Sequence, residues 1–164
     1  MVNEKVIGNK YTFAINYEIE SVSPSIMGRV CLWVGNTCIG TIDDTNLLSV
    51  TLYQLKKMNP VMLDGTQFRG LKESQIYQTI KSDNNLELDR YFMSFGESFD
   101  DFSIVAYFLD GFMCFIWILL DHPFFTYINY PKDIQFAKVP INVFSEVIAQ
   151  FEDELTHSVT AQNS

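Results

Sequence analysis

Tyr11, Phe13, Ile15, Tyr17 and Ile19 alternate with Thr12, Ala14, Asn16, Glu18 and Glu20. A period of two marks a strand with one buried and one wet face, so residues 11–20 predict a β-strand. Residues 21–25, with Pro24, end it. Residues 28–34 (GRVCLWV) predict a second strand, Gly35-Asn36 a tight turn, and residues 38–42 the returning strand of a hairpin.

The period then changes. Leu47, Thr51, Leu55 and Met58 recur at helical spacing, with Leu48 and Leu52 alongside. Asp43-Asp44-Thr45-Asn46 precede them with side chains suited to capping, and Lys56-Lys57 fall in the last turn, where cations suit the helix dipole. Asn59-Pro60 ends that helix, and residues 70–82 predict a short one with Ile76 and Ile80 inward. Residues 90–95 read as a strand. Residues 102–109 and 112–120 flank Asp110-Gly111, a strong hairpin signal, and their near-continuous apolar character predicts central strands covered on both faces.

Residues 124–130 are aromatic and fit either a strand or a packed loop; Pro131 and Pro140 bracket a short extended piece. Phe144, Val147, Ile148, Phe151 and Leu155 form one stripe of a helix over 142–156, with Glu146, Glu152, Asp153 and Glu154 mostly off it. Residues 158–164 read as a polar, mobile tail. The expected fold is α+β, an antiparallel sheet of about five or six strands with two or three helices packed on it, as one domain over residues 1–164.

Composition supports a folded core: 48% of the 164 residues are hydrophobic and 15% aromatic, which argues against disorder. Residues 102–120 are apolar enough to raise a membrane span, but Asp110-Gly111 sits mid-stretch, where a carboxylate costs about 2.5 to 3.5 kcal/mol in a bilayer. Two short strands account for the stretch better. Residues 1–5 lack a basic start followed by an apolar run, so no export signal is expected. Cys31, Cys38 and Cys114 are odd in number and lack C-x-x-C spacing, which suits buried apolar thiols in a reducing cytoplasm.

Charge narrows the function classes. Twenty acidic residues against eleven basic ones leave a net charge of −9. Such a balance attracts basic partners and repels nucleic acid and anionic membranes. Lys56-Lys57 is the lone basic doublet, so a nucleic-acid footprint is missing. His122 and His157 belong to no metal spacing, no Ser lies in G-x-S-x-G, and neither a dinucleotide fingerprint nor a phosphate loop is present. No cofactor is expected, and the Asp43/Asp44 and Asp100/Asp101 pairs read as capping or solvated loop residues before they read as metal ligands.

The run Ile7-Gly8-Asn9-Lys10-Tyr11-Thr12-Phe13-Ala14-Ile15 resembles the opening strand of the immunity protein 42 family of bacterial polymorphic toxin and contact-dependent growth inhibition systems. The family pattern is G-N-P-Y-x-F-A-I; Lys10 stands where it carries Pro. Residues 28–36 (GRVCLWVGN) are similar to the family's next hairpin, and a helix of Leu and Ser follows around Leu47-Leu48-Ser49. The likeness covers the first third of the chain and carries no binding site with it.

The resemblance implies a non-enzymatic protein that binds and neutralises a cognate toxin C-terminal domain delivered by a neighbouring cell. Many such toxins are basic nucleases, which fits the acidic charge. Under that reading the expected contacts are Glu97, Asp100 and Asp101 in a loop between strands, then Asp43 and Asp44 at a strand–helix junction. Trp33, beside the 35–36 turn, reads as core or as contact residue. The protein would act in the cytoplasm as a monomer in a heterodimer with the toxin. The alternative is an acidic secretion chaperone, usually a dimer holding an unfolded effector segment; a third class, a small hydrolase or metal-dependent enzyme, lacks every motif sought.

Overall fold

The computed structural model describes residues 3–163. It opens on β1 (Lys5–Asn9), which turns and returns as β2 (Phe13–Ser21). The Thr12 amide donates to the Asn9 carbonyl at 3.0 Å, and the Tyr11 amide to the Asn9 side chain at 2.8 Å. Tyr11 is therefore an exposed turn residue rather than the first buried position of the strand. Phe13, Ile15 and Tyr17 are buried as the alternation requires. Asn16, expected on the wet face, is buried too, because it lies in a groove whose far wall includes Tyr127 and Tyr130.

β3 (Met27–Val34) and β4 (Thr37–Ile39) form the expected hairpin, with Trp33 opposite Cys38. β4 stops earlier than the pattern suggested. The Thr41 amide donates to the carbonyl of Ser98 at 3.1 Å, so the chain leaves the sheet there. It rejoins β3 as the two-residue β5 (Asn46–Leu47). α1 (Leu48–Lys56) follows without a side-chain cap. Asp43 and Asp44 do not cap it; the first orphan donor, the Leu48 amide, is satisfied by the Ile26 carbonyl at 2.9 Å.

α2 (Glu73–Lys81) buries Ile76, Tyr77 and Ile80. The strand expected over 90–95 is mostly something else: a 3-10 turn (Asp89–Tyr91) leads into β6 (Phe92–Met93), which pairs only with Ile104 and Val105. Beyond it the Phe95 carbonyl accepts from the buried Thr51 hydroxyl at 2.6 Å, which draws the chain toward α1. β7 (Phe102–Leu109) and β8 (Phe112–Leu119) form the hairpin read from Asp110-Gly111; both turn residues have positive φ, 52° and 86°. β9 (Gln135–Pro140) is the Pro-bracketed piece, paired antiparallel to β8.

α3 (Ile141–Asn163) closes the chain. It continues beyond Thr156, so the residues read as a polar tail are helical as far as Asn163. Hydroxyls of Thr156, Ser158 and Thr160 donate to carbonyls four residues back at 2.9 to 3.0 Å, which lets a polar sequence keep its side chains on the helix.

Among the described residues the strands form two sheets, ordered β1-β2-β3-β4 with β5 also on β3, and β6-β7-β8-β9. The architecture is α+β with antiparallel ladders and three helices, as the sequence implied. One apolar cluster joins both sheets and all three helices. At its centre Phe13 of β2, Phe115 of β8 and Phe144 of α3 pack ring against ring, 5.1 to 6.1 Å apart.

Candidate functional site

Two acidic segments that lie far apart in the chain meet where the sheets adjoin. Ser98 ties them. It sits buried in a 3-10 turn (Glu97–Phe99), accepts at its carbonyl from the Thr41 amide, and donates its own amide to Asn46 Oδ1 at 3.0 Å. Its hydroxyl donates to the Val30 carbonyl at 3.1 Å. Gly96 makes the approach possible: its φ is +132°, and a Cβ there would lie 2.7 Å from Asn46 Oδ1. The 40–46 loop and the 96–101 turn are thus held as one ledge.

Asp43, Glu97 and Asp100 are exposed on that ledge; Asp44 is half-buried and accepts from the Thr45 amide at 2.9 Å. Arg29 braces the ledge from β3. Its Nε pairs with Glu20 at 2.7 Å and its guanidinium donates to the Ile42 carbonyl at 3.0 Å. The hydrogen bond from Arg29 holds the Glu20 carboxyl below the usual range. Together with Glu20, Asp43 adds to the negative field that holds Arg29 charged, while Asp43, Glu97 and Asp100 all remain exposed.

Asp101 behaves differently from its neighbour. It is 8% exposed, and its carboxylate accepts from the amides of Phe124 at 2.7 Å and Phe125 at 3.0 Å and from the Tyr127 hydroxyl at 3.0 Å. It fastens the 120–134 loop to the start of β7. The Tyr130 hydroxyl fastens the other end, donating to the Cys38 carbonyl at 2.5 Å and accepting from Trp117 Nε1 at 2.9 Å. Burial first, then the contact with Asp101, pushes the Tyr127 phenol well above its ordinary range; burial does the same for Tyr130.

Trp33 is half-buried on the outer face of the first sheet, with Lys10 Nζ 4.4 Å from its ring centroid. It lines a groove of about 340 Å³ with Asn16, Cys31, Ile42, Tyr127 and Tyr130. Trp33 Nε1 and Asn16 Oδ1 are buried there without a hydrogen-bond partner. The Cys31 thiol is pushed up by its contact with Cys38 and by burial, so it sits in the groove as a neutral thiol.

The structure therefore brings Asp43, Asp44, Glu97 and Asp100 onto one ledge, sets Trp33 in the groove beside Ile42, and turns Asp101 inward. Sequence reasoning missed Phe124 and Ile128, which are 87% and 85% exposed on the tied loop. The available signal was an aromatic run between Pro123 and Pro131 that does not alternate as a strand should. Among the described residues, no three His, Cys, Asp or Glu side chains are grouped to hold a metal ion, and no helix is long and apolar enough to cross a membrane.

The acidic ledge thus lies beside a groove and the exposed side chains of Phe124 and Ile128. The model of the family described as Immunity protein 42 matches residues 1–154, and the chain belongs to that family. Its members are non-catalytic binders, and the partner of an immunity protein is its cognate toxin. The fold is similar to that in the crystal structure of CdiI from Burkholderia dolosa AUO158, with a TM-score of 0.62 at 15% identity, over 92% of this chain and 99% of that one. No curated protein matches the sequence.

Proposed function

We propose that this protein neutralises its toxin in the cytoplasm, as a monomer in a one-to-one complex. The toxin's C-terminal domain docks on the ledge of Asp43, Asp44, Glu97 and Asp100, with Trp33 at the adjoining groove. The observation that supports this reading is the Ser98 tie, which holds the segment carrying Asp43 and Asp44 to the turn carrying Glu97 and Asp100. A face of that sign selects a basic surface, and a nuclease domain, whose cleft binds phosphates, supplies one. The carboxylates then stand where phosphates would lie. Asp101 contributes indirectly, through the loop it holds.

Growth protection tests the reading. Cells expressing this chain should grow when challenged with the toxin domain encoded beside it. Cells expressing a version with Asp43, Asp44, Glu97 and Asp100 all changed to Lys should be inhibited at equal protein level. Equal death of wild-type and empty-vector cells would refute the immunity role for that toxin. Equal protection by both proteins would refute the ledge.

A further inference from the structure

The 120–134 connection between β8 and β9 has no secondary structure of its own. Connections longer than about 12 residues without regular elements are uncommon in compact folds and are usually either functional or disordered linkers. This one is fixed at several points. Asp101 holds the Phe124 and Phe125 amides and the Tyr127 hydroxyl, and Tyr130 joins Trp117 to the Cys38 carbonyl. Rings of Tyr127 and Tyr130 pack edge-on against Phe102 at 5.1 and 5.3 Å. The Phe124 and Phe125 amides and the Tyr127 and Tyr130 hydroxyls are thus turned inward, while the side chains of Phe124 and Ile128, both strongly apolar, are exposed at 87% and 85% alongside the loop's polar side chains. These contacts fix the loop while its two apolar side chains stay unburied, which removes the ordering cost of a later contact.

We propose that Phe124 and Ile128 are the apolar anchors of the interface with the toxin domain, and that Asp101 is the residue that positions them. The inference rests on the immunity reading above and names the centre of the surface whose acidic rim was described there. Charge decides the occupant. Asp100 and Asp121 flank the loop's start, and Asp133 precedes its end, with Lys132 beside it. The ledge of Asp43 and Glu97 adjoins through Ile42, which lines the same groove as Tyr127 and Ile128. An apolar pair on a loop flanked along the chain by Asp121 and Asp133, with Glu4 and Lys10 both lining the adjoining groove and the acidic ledge beyond Ile42, fits a folded domain with a mostly basic rim. Another exposed apolar pair is Val61 and Met62, and Met62 lines a groove with Lys57 and Arg90, a setting that a basic partner avoids.

The test measures dissociation of full-length protein from the purified toxin domain encoded beside it. Phe124→Ala and Ile128→Ala should each raise the off-rate about tenfold or more, and the pair together by at least about a hundredfold. Their melting temperatures should lie close to the wild type's, since both side chains are mostly exposed and Phe124 gives up only its edge-on contact with Phe125 at 5.0 Å. Val61→Ala with Met62→Ala serves as an exposed apolar control and should change nothing. Asp101→Asn should raise the off-rate in the wild-type background and add nothing once Phe124 and Ile128 are gone, a coupling that a merely structural role would not produce.

If wild-type protein fails to bind the toxin, the immunity reading for that pair fails and this inference with it. If wild type binds and the Phe124→Ala/Ile128→Ala protein dissociates as slowly, the anchor assignment is overturned while the immunity reading stands. A loss confined to the Val61/Met62 control would move the interface to the cationic side and also overturn it. An equal effect of Asp101→Asn in both backgrounds would refute its positioning role.

Discussion

Phe144 shows how a single side chain can be read correctly from spacing alone. It belongs to the apolar stripe of the last helix, and in the fold it touches Phe13 of one sheet and Phe115 of the other. Phe144→Ala should destabilise the protein by about 3 to 5 kcal/mol, measured by urea unfolding, because the cavity opens where three elements meet. Thr51 carries a different cost. Its buried hydroxyl donates to the Phe95 carbonyl, so Thr51→Val leaves that acceptor unpaired and should cost about 1 to 3 kcal/mol despite equal size. Tyr17, Tyr107, Tyr127 and Tyr130 are all held neutral, chiefly by burial. Their folded pKa values lie above the unfolded value of about 10. Their stabilising contribution is therefore complete below that pH and is lost as pH rises toward the folded values. A spectrophotometric titration should show these phenols silent until the chain unfolds in alkali; smooth ionisation with the fold intact would contradict their burial. Asp101 is the residue the sequence disguised. Beside Asp100 it looks like half of a solvated pair, and only the arrival of Phe124, Phe125 and Tyr127 makes it an internal acceptor.

At the scale of elements, local signals succeeded where the chain makes its own contacts. The β7–β8 hairpin was legible because Asp110-Gly111 suits the positive φ its turn requires. Gly111→Ala meets no neighbouring atom, so its cost is backbone strain alone, expected at about 1 kcal/mol or somewhat more by thermal unfolding. The stripe of α3 was equally plain, though its last turns were not, since Ser158 to Asn163 look like a tail unless their hydroxyls are seen to bond back to the helix. Elements completed by distant partners were misjudged. The strand expected over 90–95 shrank to β6 because α1 captures the Phe95 carbonyl through Thr51. β5 was hidden inside what looked like a helix cap, because Asn46 pairs with Gly28 on β3 and gives its side chain to Ser98.

Across the whole molecule, the antiparallel α+β class followed from consecutive strand signals, whereas the division into two sheets did not. Nothing local tells β4 to stop at Ile39 and β6 to start a second ladder; the Thr41–Ser98 hydrogen bond between the sheets is set by tertiary packing. The same contact explains the candidate site. The net charge of −9 was visible in composition, as were the acidic pairs, but not that the segment of Asp43 and Asp44 is tied to the turn of Glu97 and Asp100. Trp33 proved half-buried, between its two sequence readings, with its ring under Lys10. The family of immunity proteins to which the chain belongs supplies the partner class, and the ledge supplies the chemistry that would recognise a basic one.

The most direct measurement is the affinity and association rate of purified protein for the toxin domain encoded beside it, followed from low to high salt. The account predicts fast association at low salt that falls steeply as salt rises. Changing Asp43, Asp44, Glu97 and Asp100 to Lys should slow association at least about tenfold and flatten the salt dependence. Tight binding with the same salt slope in wild type and variant would contradict the acidic ledge as the docking face.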